Sequence, residues 1–204
     1  MLLDADDSQL VLVDYQARLM PAIHENTLVL ANAMRLARLA RLMEVPTWGT
    51  EENPAKLGEN PPELRALCRR TLAKMHFSAV ADGLTEWLRP PVRQPQGGNA
   101  RSLPKHLQKP QQQAAAEEGR NTLVIAGCEA HVCLLQTSLD LLDQEFDVWV
   151  VTDACSSQSE RNRDAAFDRL ASAGAELVTT EMVAFEWLRT ADHPLFRDAL
   201  QLIK

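Results

Sequence analysis

Aromatic side chains are scarce in this chain: four tryptophans, five phenylalanines and one tyrosine make up 5% of 204 residues. Aliphatic groups must therefore fill the core, and the 46% apolar content can supply them. Excess positive charge is missing too. The formal net charge of −7 argues against a nucleic-acid footprint or attraction to an anionic membrane surface. No apolar run approaches the roughly 18 residues that a bilayer span requires. The opening stretch, MLLDADDSQLVLVD, places acids where a secretory leader needs bases. The four cysteines, Cys68, Cys128, Cys133 and Cys155, show neither zinc-ligand spacing nor a disulfide framework. The expectation is a protein of the reducing cytoplasm, without membrane or nucleic-acid partners.

What is present centres on Asn121 to Thr137, NTLVIAGCEAHVCLLQT. Leu123 to Ala126 is a short aliphatic run suited to a strand buried on both faces, and it breaks at Gly127. A helical apolar period begins at Val132. Strand, tight turn and helix follow in sequence, with Cys133 in the first turns of the helix. Free N–H groups and the helix dipole there favour a thiolate and a developing oxyanion. The carboxyl end of a parallel strand is also where open α/β sheets place ligands.

Further buried strands are expected at Leu10–Val13, ending in Asp14, at Pro46–Thr50, at Asp147–Thr152 and at Glu176–Thr179. Helices are expected at Leu28–Met43, capped by Asn26 or Thr27, at Ala79–Leu88, at Glu160–Ala173 after the cap Ser159, and near Glu181–Leu188 and Pro194–Ile203. Glu51 to Pro62 reads as a polar loop with three prolines. Pro62 to Arg70 reads as a short helical segment or an extended link. Strands alternating with helices, without hairpin signals, indicate a parallel sheet covered on both faces, and right-handed crossovers make it doubly wound. Residues 90–118 differ. Five prolines, six glutamines and Gly97-Gly98 mark a surface insertion in one domain spanning 1–204, either a tolerated loop or a lid or contact arm.

Three strand-end residues form a chemically sufficient set. A cysteine nucleophile (Cys133) needs a base (Asp14), and a lysine (Lys74) holds that base ionised. Each has an ordinary reading as well. A strand-end Asp often caps a helix, a lone Lys is usually solvated, and a helix-start Cys usually packs as a small hydrophobe.

The central GCEAHVC, the early LVLVDYQ and the K-x-x-F-S of Lys74 to Ser78 together resemble the isochorismatase-like cysteine hydrolases. The isochorismatase domain-containing branch is the most similar. Thr50 to Leu64 (TEENPAKLGENPPEL), Thr152 to Gly174 and Asp192 to Phe196 (DHPLF) support it. The resemblance implies a three-layer α/β/α sandwich with a six-stranded parallel sheet of Rossmann-like order. It implies Asp14 as proton shuttle, Lys74 as electrostatic partner and Cys133 as nucleophile. It implies a cis peptide at Cys128–Glu129, with the Glu129 and Cys133 N–H groups aimed at one oxyanion. Members with this cysteine hydrolyse small amides or ureido compounds through a thioester, whereas isochorismatases proper lack it and cleave a vinyl ether.

Gln16, Phe77, Cys128 and His131 are substrate-pocket candidates. Tyr15 and His76 are read as packing or surface residues. Relatives that bind zinc use an Asp/His cluster after the second strand. Glu51-Glu52-Asn53-Pro54 has no histidine there, so neither metal nor other cofactor is expected. The expected partners are a small-molecule substrate and further copies of the chain. Ester or enol-ether hydrolysis on the same triad, or a binding protein without turnover, are the alternatives.

Overall fold

The computed structural model describes residues 1–89 and 119–203. The insertion expected at 90–118 lies outside the described residues.

Six strands form one all-parallel sheet in the order β3-β2-β1-β4-β5-β6. They are β1 (Ser8–Val13), β2 (Thr47–Glu52), β3 (Arg70–Lys74), β4 (Thr122–Gly127), β5 (Asp147–Val151) and β6 (Glu176–Val178). The two central strands, β1 and β4, are buried at every position, as expected where helices cover both faces. Helix α1 (Asn26–Leu42) packs with α7 (Thr180–Leu188) and α8 (Phe196–Ile203), while α5 (Leu135–Asp143) packs with α6 (Glu160–Ser172). Short helices α2 (Pro54–Leu57), α3 (Pro62–Arg65) and α4 (Leu84–Leu88) complete the set. No helix among the described residues is long and apolar enough to cross a membrane.

Several local expectations are corrected. The residue pattern did not mark β3 as a strand. It is an edge strand, exposed at Arg70 and Ala73 and fully buried only at Lys74, so it carries no aliphatic run. Strand β2 continues through Glu51 and Glu52, where a polar loop was expected. Helix α1 starts after Glu25, which adopts φ +54 and makes no side-chain cap. Neither Asn26 nor Thr27 caps it. Leu28 faces outward, and the buried face of the helix opens at Val29 and continues through Ala33, Leu36, Ala37, Leu39 and Ala40. Only Leu84–Leu88 of the Ala79–Leu88 stretch is helical. Ser159 does cap α6, accepting from Asn162 N at 3.3 Å.

Gly127 fixes how closely the central strands approach. A Cβ there would lie 2.5 Å from both Val13 Cβ and Val13 O. Only glycine permits this contact, and it closes the β1–β4 ladder at Val13↔Gly127. The next residue continues the register, since Cys128 N donates to Val13 O at 2.9 Å. The residue that ends β1 is thus drawn next to the turn that carries Cys133.

Candidate active site

Three elements of the sheet and one turn converge at the strands' carboxyl end. Asp14 directly follows β1 with φ +55, a left-handed conformation that aspartate tolerates better than most residues. Its N–H donates to Thr50 O at 3.2 Å. The Thr50 hydroxyl returns a hydrogen bond of 2.7 Å to Asp14 Oδ1. Lys74 ends β3, two strands away. Its Nζ lies 2.9 Å from Asp14 Oδ2 and 2.8 Å from Glu52 Oε2. It also donates to the carbonyls of His76 (3.2 Å) and Phe77 (3.1 Å). The Lys74 and Asp14 side chains are both 0% exposed.

The pleat of β2 supplies the rest. Thr50 and Glu52 share one face of the strand and serve Asp14 and Lys74. Glu51, on the other face, accepts from Asn60 N at 2.8 Å and faces Arg65 Nε at 3.3 Å. Gln16 clamps the exit of this strand. Its Oε1 accepts from Glu52 N (2.8 Å), and its Nε2 donates to Glu52 O (2.9 Å) and Gly58 O (2.5 Å). Gln16 is fully buried, so its amide is engaged in shaping the loop.

Cys133 does not sit in the first turn of a regular α-helix. Residues Ala130–Leu134 form a π-helical turn that precedes α5. This is a wider winding that recurs at functional sites. The Cys133 sulfur, one Asp14 oxygen and one Glu52 oxygen all lie within 4.8 Å of one another. Such a trio has the donor types for a cation. The Lys74 ammonium, in contact with both carboxylates, already provides one, and a metal ion would have to displace it.

The electrostatics correct one expectation. Burial pushes the Cys133 thiol well above its ordinary range. The Asp14 charge adds to this, the Lys74 charge opposes it, and the Asp14 hydrogen bond and Glu52 charge raise it further. These contributions favour the protonated sulfur, against the pull of the helix start toward a thiolate. Burial also works against the charge of Lys74. Asp14, Cys133 and the hydrogen bonds to Asp14 and Glu52 outweigh that effect and raise the ammonium above its usual value.

The remaining candidates occupy distinct places. The Cys128–Glu129 peptide is cis, and the Glu129 N–H finds no acceptor among the described residues. The Glu129 side chain accepts from Gln158 N at 3.0 Å and lies 3.5 Å from His131 Nδ1. His131 Nδ1 also meets Ser157 Oγ at 2.9 Å, so the ring fastens the turn to the Ser157 segment. Cys128 is fully buried, and Phe77 is 52% exposed with its carbonyl on Lys74. Tyr15 is buried and donates to Ala154 O at 2.6 Å. His76 is exposed and meets Asp82 Oδ1 at 3.1 Å. Sequence reasoning missed Glu52, because Glu51-Glu52-Asn53-Pro54 without a histidine reads as loop polarity. The alternation Thr50-x-Glu52 at a strand end was the available signal.

Comparison with known proteins identifies the family and the fold. The isochorismatase domain model matches residues 8–182. The chain belongs to the isochorismatase family. Rat isochorismatase domain-containing protein 2 is 34% identical over 199 residues, spanning 98% of this chain and 82% of that one. The structure described as MAR1 ribonuclease from Caenorhabditis elegans superposes with a TM-score of 0.81 at 28% identity, covering 100% of this chain and 92% of that one. The YcaC gene product of Escherichia coli, described as an octameric hydrolase of unknown specificity, gives 0.79 at 27%, covering 100% and 89%. The matched isochorismatase range contains Asp14, Glu52, Lys74 and Cys133, so the cluster lies within the family domain.

Proposed function

We propose that this isochorismatase-family hydrolase cleaves the C–N bond of a small amide or ureido compound through a thioester on Cys133. The convergence of a buried thiol, a buried carboxylate and a buried ammonium carries this reading. Asp14 accepts the thiol proton as the sulfur attacks the carbonyl carbon. The oxyanion that forms is met by the N–H groups of Glu129 and Cys133. Collapse expels the amine, which takes the proton back from Asp14, and leaves a thioester. Asp14 then removes a proton from water, the hydroxide attacks the thioester, and the C–S bond breaks, the departing sulfur taking that proton from Asp14 as the acid leaves and the thiol is restored. Lys74 pairs with Asp14 at 2.9 Å and holds its carboxylate in place between proton transfers. The raised thiol suits this sequence, because proton transfer to Asp14 is coupled to attack.

Phosphodiester cleavage, which the name of the C. elegans neighbour would suggest, fits poorly. Two carboxylates share one ammonium here, a balance that repels a phosphate. The E. coli neighbour is octameric, and exposed Met182 and Phe185 on α7 give this chain an apolar surface for its own assembly.

The test is release of ammonia or amine from a panel of small amides, with the acyl-enzyme mass followed on Cys133. Turnover that disappears in Cys133→Ala supports the reading. Product acid from esters alone would favour the ester alternative. RNA cleavage that persists in Cys133→Ala would overturn the cysteine mechanism.

A further inference from the structure

Glu52 is the member of the cluster that the proposed reaction does not use. It takes part in neither proton transfer nor attack. Its side chain is only 12% exposed, and its Oε2 lies 2.8 Å from Lys74 Nζ, as close as Asp14 does. Its main chain is clamped at both N–H and carbonyl by Gln16, so the carboxylate is held at that position by the loop. The charged and titratable groups that face it are Asp14 from β1, Lys74 from β3 and Cys133 from the π-helical turn. Glu51, its neighbour on β2, points to Asn60 and Arg65 instead.

We propose that Glu52 is a positioning and specificity-determining residue. It shares the Lys74 ammonium with Asp14, leaves the site with one uncompensated negative charge, and so selects neutral or cationic amides over anionic ones. The word amide rests on the hydrolase reading above; the charge selection does not.

The physical argument is a count of charges in a dry place. One ammonium cannot neutralise two carboxylates, and its remaining N–H capacity is directed at two carbonyls. The sulfur lies within 4.8 Å of both carboxylate oxygens. At that range, in a partly buried setting, a unit charge changes an approaching ion's free energy enough to alter rates by about tenfold or more. Sharing also holds the Lys74 ammonium between Asp14 and Glu52, so loss of the Glu52 charge lets it move relative to Asp14.

The test alkylates Cys133 with probes of different charge, read by mass at that residue. The probes are iodoacetamide (neutral), iodoacetate (anionic) and 2-bromoethylamine (cationic), each rate divided by the rate with free cysteine. In the wild type the expected order is cationic, neutral, anionic. Glu52→Gln should raise the iodoacetate-to-iodoacetamide ratio about tenfold and speed iodoacetamide at neutral pH. Glu52→Asp, which restores the charge, should return the ratio toward wild type. On any amide that is turned over, Glu52→Gln should lower kcat while the thiol becomes more reactive, a split that loss of structure would not give. A wild-type ratio equal to that of free cysteine overturns the proposal. So does a ratio unchanged in Glu52→Gln, or altered alike in Glu52→Gln and Glu52→Asp. If no amide is hydrolysed, the hydrolase reading fails while the alkylation ratios still decide the role of Glu52.

Discussion

Lys74 Nζ reaches Asp14 Oδ2 at 2.9 Å although β3 and β1 are not neighbours in the sheet. Strand β2 runs between them, and the lysine side chain crosses its end. Both charges are sealed from solvent. Removing one partner of such a pair leaves the other buried and uncompensated, which costs about 3–5 kcal/mol. Lys74→Met should lower stability by about that amount in urea unfolding. Asp14→Asn combined with Lys74→Met should be less destabilised than the sum of the single changes, because no orphaned Asp14 charge remains. Additive losses would show that the pair is not coupled.

Gly127→Ala should be damaging out of proportion to one methyl group. The new Cβ would sit 2.5 Å from Val13 Cβ and from Val13 O, and backbone cannot rotate away as a side chain can. Overpacking of this kind costs about 1–3 kcal/mol or more. Because Asp14 follows Val13 directly, the shift also moves the carboxylate relative to Cys133. The expected result is a lower unfolding midpoint together with slower alkylation of Cys133 at fixed pH. Unchanged stability would mean that the strands can part at no cost.

Cys133 should behave as a thiol at neutral pH. Burial, then the Asp14 charge, push it up against the pull of Lys74. Its rate of alkylation by iodoacetamide should climb through the alkaline range without a plateau near pH 7. A plateau at neutral pH would mean an ionised resting sulfur, as the helix-start argument expects.

Stability should fall above about pH 9. Burial raises Cys68 to about 11, assisted by Glu51 and opposed by Arg65. Cys128, Cys133, Cys155 and Tyr15 are also raised, burial being the first cause in each. A thiol in the unfolded chain ionises near its ordinary value of 9.0. The unfolded state therefore releases protons first, and each pH step upward favours it. The contribution is complete below about 9 and for Cys68 is lost as the pH passes about 11. Lys74, raised by Asp14 and Glu52 despite burial, has the same sign at higher pH. The urea midpoint should be lower at pH 10 than at pH 8, with a shallower decline in Cys68→Ala. Equal midpoints would contradict the buried-thiol account.

The sequence by itself determined the parallel α/β architecture, because β1 and β4 are aliphatic runs and the helices between the strands carry a clear period. It also marked Asp14 and Cys133, since each follows a run whose end is unmistakable. Lys74, which no aliphatic run announces, joined them on chemical grounds, and the resemblance added the sixth strand. Tertiary structure alone decided the rest. Strand β3 has no aliphatic signature, because an edge strand packs little of itself and its stability comes from pairing with β2. Glu52 looked like loop polarity until β2 extended to meet β3 and the pleat turned it toward Lys74. The state of the Cys133 sulfur was likewise invisible in one dimension. A helix start favours a thiolate, but desolvation and two carboxylates within 4.8 Å act on the same atom in the opposite sense. Those neighbours are distant in the chain, and only folding brings them to the same place.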